Sequence, residues 1–472
     1  MSEEKLKSPK KHRVLKVVLI TLGIVILIPC GFLGVTTAMC KAKGDRTKAD
    51  ATITNLSGLV QQKGSSLYDK DGKRLVLQGV NAGGMLVSEG WMVPYSVGEE
   101  HNSDGSIKYD SDNLPCYPKL PMEDAYAGFL SNPNLNSTQR KNIVDNFRSN
   151  WFSENDFKVV KNELKYNSIR LPFYWRDILN QNGDTFTRIS EAEAFTYLDW
   201  FLTKCKENNL YCILDLHGAP GSQNGYEHSG YTKGAELWTN NTYIDATVDL
   251  WSYIASYYST TQKELGSYIA TYDILNEPCG DYTNQNKGTT SICYDVFDKI
   301  YKGIRKQNDN HVITIEGVWD FTNFADPKTY NWENIQYETH MYNWNASSLP
   351  TWLFLDYFEF KSWQHLYDVP YYIGEFTCFD NQGNWNEQLS WFEKRGYSYS
   401  LWNYKIISEG WWTNTWSIYT EVLNLKKEKN ELKVNLKTAT YNELMEAGTK
   451  TNSSNCELSN TYKYVREHAG IK

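Results

Sequence analysis

The stretch Tyr272-Asp273-Ile274-Leu275-Asn276-Glu277-Pro278 decides the architecture. Its first residues read as a buried strand, an Asn-Glu pair follows, and a proline, which has no N–H to give a ladder, stops the strand. A carboxylate is thereby held at a strand end. Further along, Tyr371-Tyr372-Ile373-Gly374-Glu375-Phe376 repeats the arrangement, again with a glutamate where a short apolar run finishes. In a parallel barrel all strands end on one face, so residues distant in the chain can meet across one pocket. Two strand-end glutamates in that setting imply chemistry done by a pair of carboxylates.

Outward from these two stretches, short apolar runs alternate with amphipathic stretches, the pattern of a parallel sheet wound with helices. The expected strands cover residues 75–81, 168–173, 211–217, 272–276, 312–316, 335–340, 370–375 and 399–404. Expected helices fall at 156–165, 191–208, 242–258, 290–308, 353–366 and 385–395, with two more in the tail at 440–447 and 460–468. Eight strand-helix units predict a (β/α)8 barrel, and an open doubly wound sheet is the alternative. Before the first strand, Ser66 to Lys73 carries an Asp-Gly turn and reads as a hairpin. Residues 82–148 form a long insertion without a clear period, and loops of that length are usually functional or mobile.

The N-terminus divides differently. Residues 1–16 are basic, 17–39 carry no charge and are long enough to cross a bilayer, 40–64 read as a polar linker, and 65–472 form the barrel domain. The flanking lysines favour a retained anchor with the barrel outside the cell, and a cleaved signal peptide is the alternative. The net charge of −8 and the lack of a basic stripe beyond the N-terminus argue against a nucleic-acid partner. Aromatic residues make up 15% of the chain, with 17 Trp and 34 Tyr, more than a core needs, and flat exposed rings are surfaces on which sugars stack. Nine cysteines without C-x-x-C spacing give no zinc signature. Cys279 and Cys293 are close enough to staple one loop, and buried free thiols are the alternative.

The last positions of the expected strands read Asn81, Arg170, His217, Asn276 with Glu277, Glu316, His340 with Tyr342, Glu375 and Trp402. Each polar group aimed at one rim must be satisfied or solvated, so such a list points to a site. The motifs Ile169-Arg170-Leu171-Pro172, residues 214–225 (LDLHGAPGSQNG), Leu275-Asn276-Glu277-Pro278, His340-Met341-Tyr342, Ile373-Gly374-Glu375-Phe376 and Leu401-Trp402 occur in the order found in glycoside hydrolase family 5, which the chain resembles from about Ser66 onward. The 217–225 run and Phe152-Ser153-Glu154-Asn155-Asp156-Phe157 look most like its exo-β-1,3-glucanase branch. Met341-Tyr342-Asn343-Trp344-Asn345 and Glu409-Gly410-Trp411-Trp412 depart from that branch.

The resemblance implies a retaining β-glycosidase with Glu277 as general acid/base and Glu375 as nucleophile. It places Arg170 and Tyr342 against the nucleophile, His340 near the acid/base, Asn276 at the sugar 2-hydroxyl, His217 in support and Trp402 under the reacting sugar. β-1,3-Glucan is the first expected substrate, β-1,4-glucan the second and mannan the third. No metal and no cofactor are implied, and a monomer is expected. For Glu316, support and substrate contact are equally open; Trp411, Trp412 and Trp416 read as outer sugar subsites, with a cap on the barrel as the alternative. The same residues would also serve a transglycosylase or a non-catalytic carbohydrate-binding barrel.

Overall fold

A computed structural model describes residues 57–111, 115–278, 290–318, 323–344, 351, 353–355, 367–407, 416–422 and 433–471. Eight strands close a barrel: β1 (Gln78–Asn81), β2 (Ser168–Tyr174), β3 (Tyr211–Gly218), β4 (Ile269–Asp273), β5 (Val312–Glu316), β6 (Ile335–Tyr342), β7 (Tyr371–Thr377) and β8 (Ser398–Leu401). Every neighbouring pair is parallel, and β8 closes on β1 through Tyr399 opposite Gln78. Both faces of these strands are covered, which is why β5 reads Val-Ile-Thr-Ile-Glu with all five residues buried.

The bottom of the barrel has its own small core. Ile213, Ala270, Val312 and Tyr372, from the first turns of four strands, pack with Val60, Leu67 and Leu77. The last three arrive on or beside a three-stranded sheet of Gln61–Lys63, Ser66–Tyr68 and Arg74–Leu75, the expected hairpin plus one more strand. Two expectations shift here. Leu75 belongs to this cap rather than to β1, and residues 61–63 of the expected 40–64 linker are part of the folded body.

The insertion after β1 carries two helices, α1 (Met122–Ser131) and α2 (Ser137–Trp151), where no period was expected. A capping box starts α2: Asn136 Oδ1 accepts from Gln139 N at 2.9 Å and Gln139 Oε1 accepts from Asn136 N at 3.0 Å. Around the barrel run α3 (Thr196–Glu207), α4 (Asn241–Ser256), α5 (Thr290–Arg305) and α6 (Gln382–Arg395), followed in the tail by α7 (Tyr441–Lys450) and α8 (Asn460–His468). α7 packs on α2, with Asn146 Nδ2 donating to Met445 O at 2.9 Å.

Two strands end sooner than expected. β4 stops at Asp273, so Asn276 and Glu277 stand on the turn beyond it, and β8 stops at Leu401, after which Lys405–Ile406 pairs with Tyr419–Val422 in a separate sheet. The expected anchor at 17–39, Cys279, Trp411, Trp412 and most of the expected 353–366 helix lie outside the described residues. Cys293 is a buried free thiol. Among the described residues no helix is long and apolar enough to cross a membrane.

Candidate active site

The site sits where β2 to β7 end on the top face, and Arg170 on β2 is its hub. Its guanidinium is fully buried and donates to Asp273 Oδ2 (2.9 Å from Nε, 2.7 Å from Nη2), Asn276 Oδ1 (2.9 Å), Asn81 Oδ1 (3.1 Å) and Glu375 Oε1 (3.0 Å). Asp215 Oδ2 lies 3.1 Å from Nη1 and Glu338 Oε1 3.4 Å from Nη2. Four carboxylates thus surround one cation. Burial opposes the charge of Arg170, but those carboxylates raise its pKa well above the ordinary value.

Glu375 is clamped on both oxygens, by Arg170 on Oε1 and by the Tyr342 hydroxyl, which donates to Oε2 at 2.5 Å. Burial, reinforced by the charge of Glu375, pushes the Tyr342 hydroxyl well above the usual phenol range, so it remains a donor. Gly374, one residue before, has a separate reason to be glycine. A Cβ there would meet Glu338 Oε1 at 1.4 Å.

Glu277 sits between two imidazoles. His340 Nδ1 donates to Oε1 at 2.8 Å, and His228 Nε2 lies 3.0 Å from Oε2. Its backbone has φ 43°, in the left-handed region that L-residues avoid, and both backbone groups are tied down. Glu277 N donates to Glu316 Oε2 at 2.5 Å and Asn224 Nδ2 donates to Glu277 O at 3.1 Å. Glu316 therefore supports the turn that carries Glu277.

The two glutamates meet. One oxygen of each lies within 4.8 Å of the other, and His340 Nδ1 stands between them, 3.5 Å from Glu375 Oε2. Their surroundings differ in charge. Burial alone would raise Glu277, yet the charges of His228 and His340 hold its carboxyl well below the usual range. His340, disfavoured by burial, is raised well above the ordinary imidazole value by Glu316 and Glu375 first, then by Glu277 and Glu338. Burial raises Glu316 and Glu338 well above the carboxylate range, and raises Asp215 to about 7 against the pull of Arg170.

The remaining expected residues join this network. His217 Nδ1 lies 2.7 Å from Asp215 Oδ2, burial lowers its pKa to about 3, and its neutral ring stacks on Trp402 at 5.4 Å and 5°. Trp402 is buried, with one face covered by that ring. Asn276 gives Oδ1 to Arg170, while its Nδ2 has no protein partner. Outside the pocket, Trp344 is 70% exposed and leans on Phe379 at 4.2 Å, and Trp416 links both to Tyr342 at 5.6 Å.

Glu277, His340 and Glu375 fall within metal-ligating reach of one another, as do Glu316, Glu338 and His340. In the first set the atoms serve one another, and in the second His340 Nε2 lies 3.6 Å from Glu316 Oε1 and 3.4 Å from Glu338 Oε1. Glu277 Oε1 and Glu375 hold donors already, and Arg170 supplies cationic charge 3.4 Å from Glu338. The arrangement is that of a carboxylate and imidazole network.

Five residues of the network were missed by reading strand ends: Asp215, Asp273, Glu338, His228 and Glu89. Three of them had a signal. Strand side chains alternate, so Asp215 shares a face with His217, and Glu338 with His340 and Tyr342. Asp273 ends β4 itself, hidden because the strand was drawn three residues too long. Glu89, on the loop after β1, is raised to about 7 by burial while the charge of His228 opposes the shift. Neither it nor His228 had any periodic signal.

Known proteins share this arrangement of elements. The family model described as Cellulase (glycosyl hydrolase family 5) matches residues 134–415. A beta-xylosidase of Phanerodontia chrysosporium is 28% identical over 284 residues, covering 59% of this chain and 51% of that protein. A glucan 1,3-beta-glucosidase of Pichia angusta is 31% identical over 239 residues, covering 50% and 47%. The chain spans about half the length of these curated relatives. The crystal structure of rutinosidase from Aspergillus niger superposes with TM-score 0.55 at 16% identity, covering 72% of this chain and 95% of that one, a likeness of fold. With the closed eight-stranded barrel and a family match across more than half its length, the chain belongs to glycosyl hydrolase family 5.

Proposed function

We propose that the protein is a retaining β-glycosidase acting on β-glucans, with β-1,3-glucan as first substrate and β-1,4-glucan as second. The observation that carries this reading is the approach of the Glu277 and Glu375 oxygens to within 4.8 Å. Retaining enzymes hold their carboxyl groups about 5–5.5 Å apart, and inverting ones leave room for a water at about 6.5–9.5 Å. Glu375, held by Arg170 on one oxygen and Tyr342 on the other, attacks the anomeric carbon. Glu277 protonates the departing glycosidic oxygen and then takes a proton from the water that cleaves the covalent intermediate.

The choice of glucan rests on the printed names of relatives, most of them glucan 1,3-beta-glucosidases. The free Nδ2 of Asn276 is a donor available to a sugar hydroxyl, and Trp402 supports the reacting ring. Trp344 and Trp416 offer stacking faces for further sugars. The uncharged 17–39 segment behind a basic N-terminus supports an exported barrel held at the cell surface.

The test compares Glu277→Ala on two glycosides. Laminaribiose, whose leaving sugar needs a proton, should lose at least about 100-fold in kcat/KM, while a dinitrophenyl glucoside should lose far less. Equal losses on both would refute Glu277 as the acid. Formation of longer oligomers alone from laminari-oligosaccharides would favour transglycosylation.

A further inference from the structure

His228 lies on the loop after β3 and, among the described residues, is the side chain that meets Glu277 Oε2, the oxygen opposite His340. Its Nε2 faces two groups with conflicting demands. Asn224 Nδ2 lies 2.7 Å away, and Glu277 Oε2 lies 3.0 Å away. The Asn224 amide is fixed in orientation, because Oδ1 accepts from Tyr226 N at 2.9 Å and Nδ2 donates to Glu277 O at 3.1 Å. An Nε2 that accepts from Asn224 needs its lone pair, so the proton between ring and carboxyl then belongs to Glu277. An Nε2 that donates to an ionised Glu277 turns its hydrogen away from Asn224. Each placement of the proton satisfies one neighbour and opposes the other.

We propose that His228 and Glu277 share one proton, with His228 the positioning residue that reloads the acid. This rests on the reading of Glu277 as acid/base. In the free enzyme the proton sits on Nε2 against the Glu277 carboxylate. As a glycoside fills the pocket it passes to Glu277 Oε2, leaving His228 neutral and bound by Asn224. Glu277 then gives the proton to the glycosidic oxygen as the C1–O bond breaks, the leaving group departs as an alcohol, and Glu375 forms the new bond to C1. In the second half-reaction the water oxygen bonds to C1 as the C1–O bond to Glu375 breaks, and Glu277 takes the water's proton and returns it to Nε2. Protons and electron pairs balance with water as the only co-reactant.

The charges around the ring favour this reservoir. Glu277 stands in front, Glu89 approaches from the loop after β1, and Glu375 from the end of β7. His217 of β3 presents a neutral ring at 6.1 Å, Tyr226 stacks at 5.7 Å, and the carboxylate of neighbouring Glu227 is turned away onto Gly90 N and Leu120 N. Burial opposes the charge of His228, but Glu277, then Glu89 and Glu375, raise it to about 9. The pair therefore still holds its proton at a pH where an isolated carboxyl would have lost it.

Histidine-selective NMR titration tests the pair without reference to turnover. The His228 resonance, assigned by its loss in His228→Asn, should titrate above pH 8 in the wild type and at least about one unit lower in Glu277→Gln. The same midpoint in both would overturn the shared proton, even if no glycoside were ever cleaved. In kinetics, His228→Asn should move the alkaline limb of kcat/KM for laminaribiose down by at least about one pH unit. At pH 8 its loss on laminaribiose should exceed its loss on a dinitrophenyl glucoside by about tenfold or more. A limb that stays in place or moves to higher pH would overturn the proposal, since a cation that merely depresses Glu277 would shift it upward when removed.

Discussion

Tyr342→Phe deletes one hydroxyl and leaves the ring against Trp416 in place. That hydroxyl donates to Glu375 Oε2 at 2.5 Å, a bond to a buried acceptor whose other oxygen is held by the Arg170 guanidinium. Hydrogen bonds to charged groups contribute about 1.5–3 kcal/mol, and at 1.36 kcal/mol per tenfold this corresponds to about 10- to 150-fold in rate. Arg170 still holds Oε1, so the carboxylate keeps its charge partner but is free to rotate about the remaining bond. With Glu375 as the proposed nucleophile, the loss should fall on kcat and kcat/KM together, because orientation matters most as it closes on the anomeric carbon. Release of nitrophenol from an aryl β-glucoside and of glucose from laminaribiose, with urea unfolding as the control for folding, measures it. A change under about threefold, or a rise in KM with kcat intact, would refute the clamp as a catalytic device.

Two further outcomes follow from the buried charges. Asp215 carries its carboxyl at about 7 in the folded chain, above its ordinary 3.8, so the stability it contributes is fully present below about 3.8 and lost as pH rises through about 7. Asp215→Asn cannot titrate, and the wild type's advantage over it in urea unfolding should shrink from pH 4 to pH 8; a constant or widening gap would contradict this. Gly374→Ala sets a Cβ 1.4 Å from Glu338 Oε1, far inside any real contact, and the buried carboxylate must leave its place between Arg170 and His340. Stability should fall by about 1–3 kcal/mol, with a matching loss of activity; a silent substitution would show that Glu338 has room to move.

Much of the barrel was legible because parallel strands covered on both faces are nearly continuous apolar runs, and all eight strands were found close to their positions. Their ends were less so. Ile274 and Leu275 are apolar and buried like strand residues, yet they pack on the turn beyond β4, and nothing in their chemistry separates the two settings. The helices of the insertion were obscured by its many polar residues, although Asn136 and Gln139 wrote a capping box into it. Within the site, strand-end reading named Glu277, Glu375, Arg170, Tyr342 and His340, which the structure brings together, but not the imidazole on the second oxygen of Glu277. His228 and Glu89 escaped because loops bring side chains to a pocket with no period, and only folding sets their distance from Glu277.

The most direct test of the central claim is to trap the intermediate with a dinitrophenyl 2-deoxy-2-fluoro-β-glucoside and map the adduct by peptide mass spectrometry. The fluorine slows hydrolysis of the glycosyl ester more than its formation is slowed by a good leaving group, so the nucleophile stays labelled. The account predicts one glucosyl unit on Glu375, absent in Glu375→Ala. Label on any other residue, or continued turnover of laminaribiose by Glu375→Ala, would contradict it.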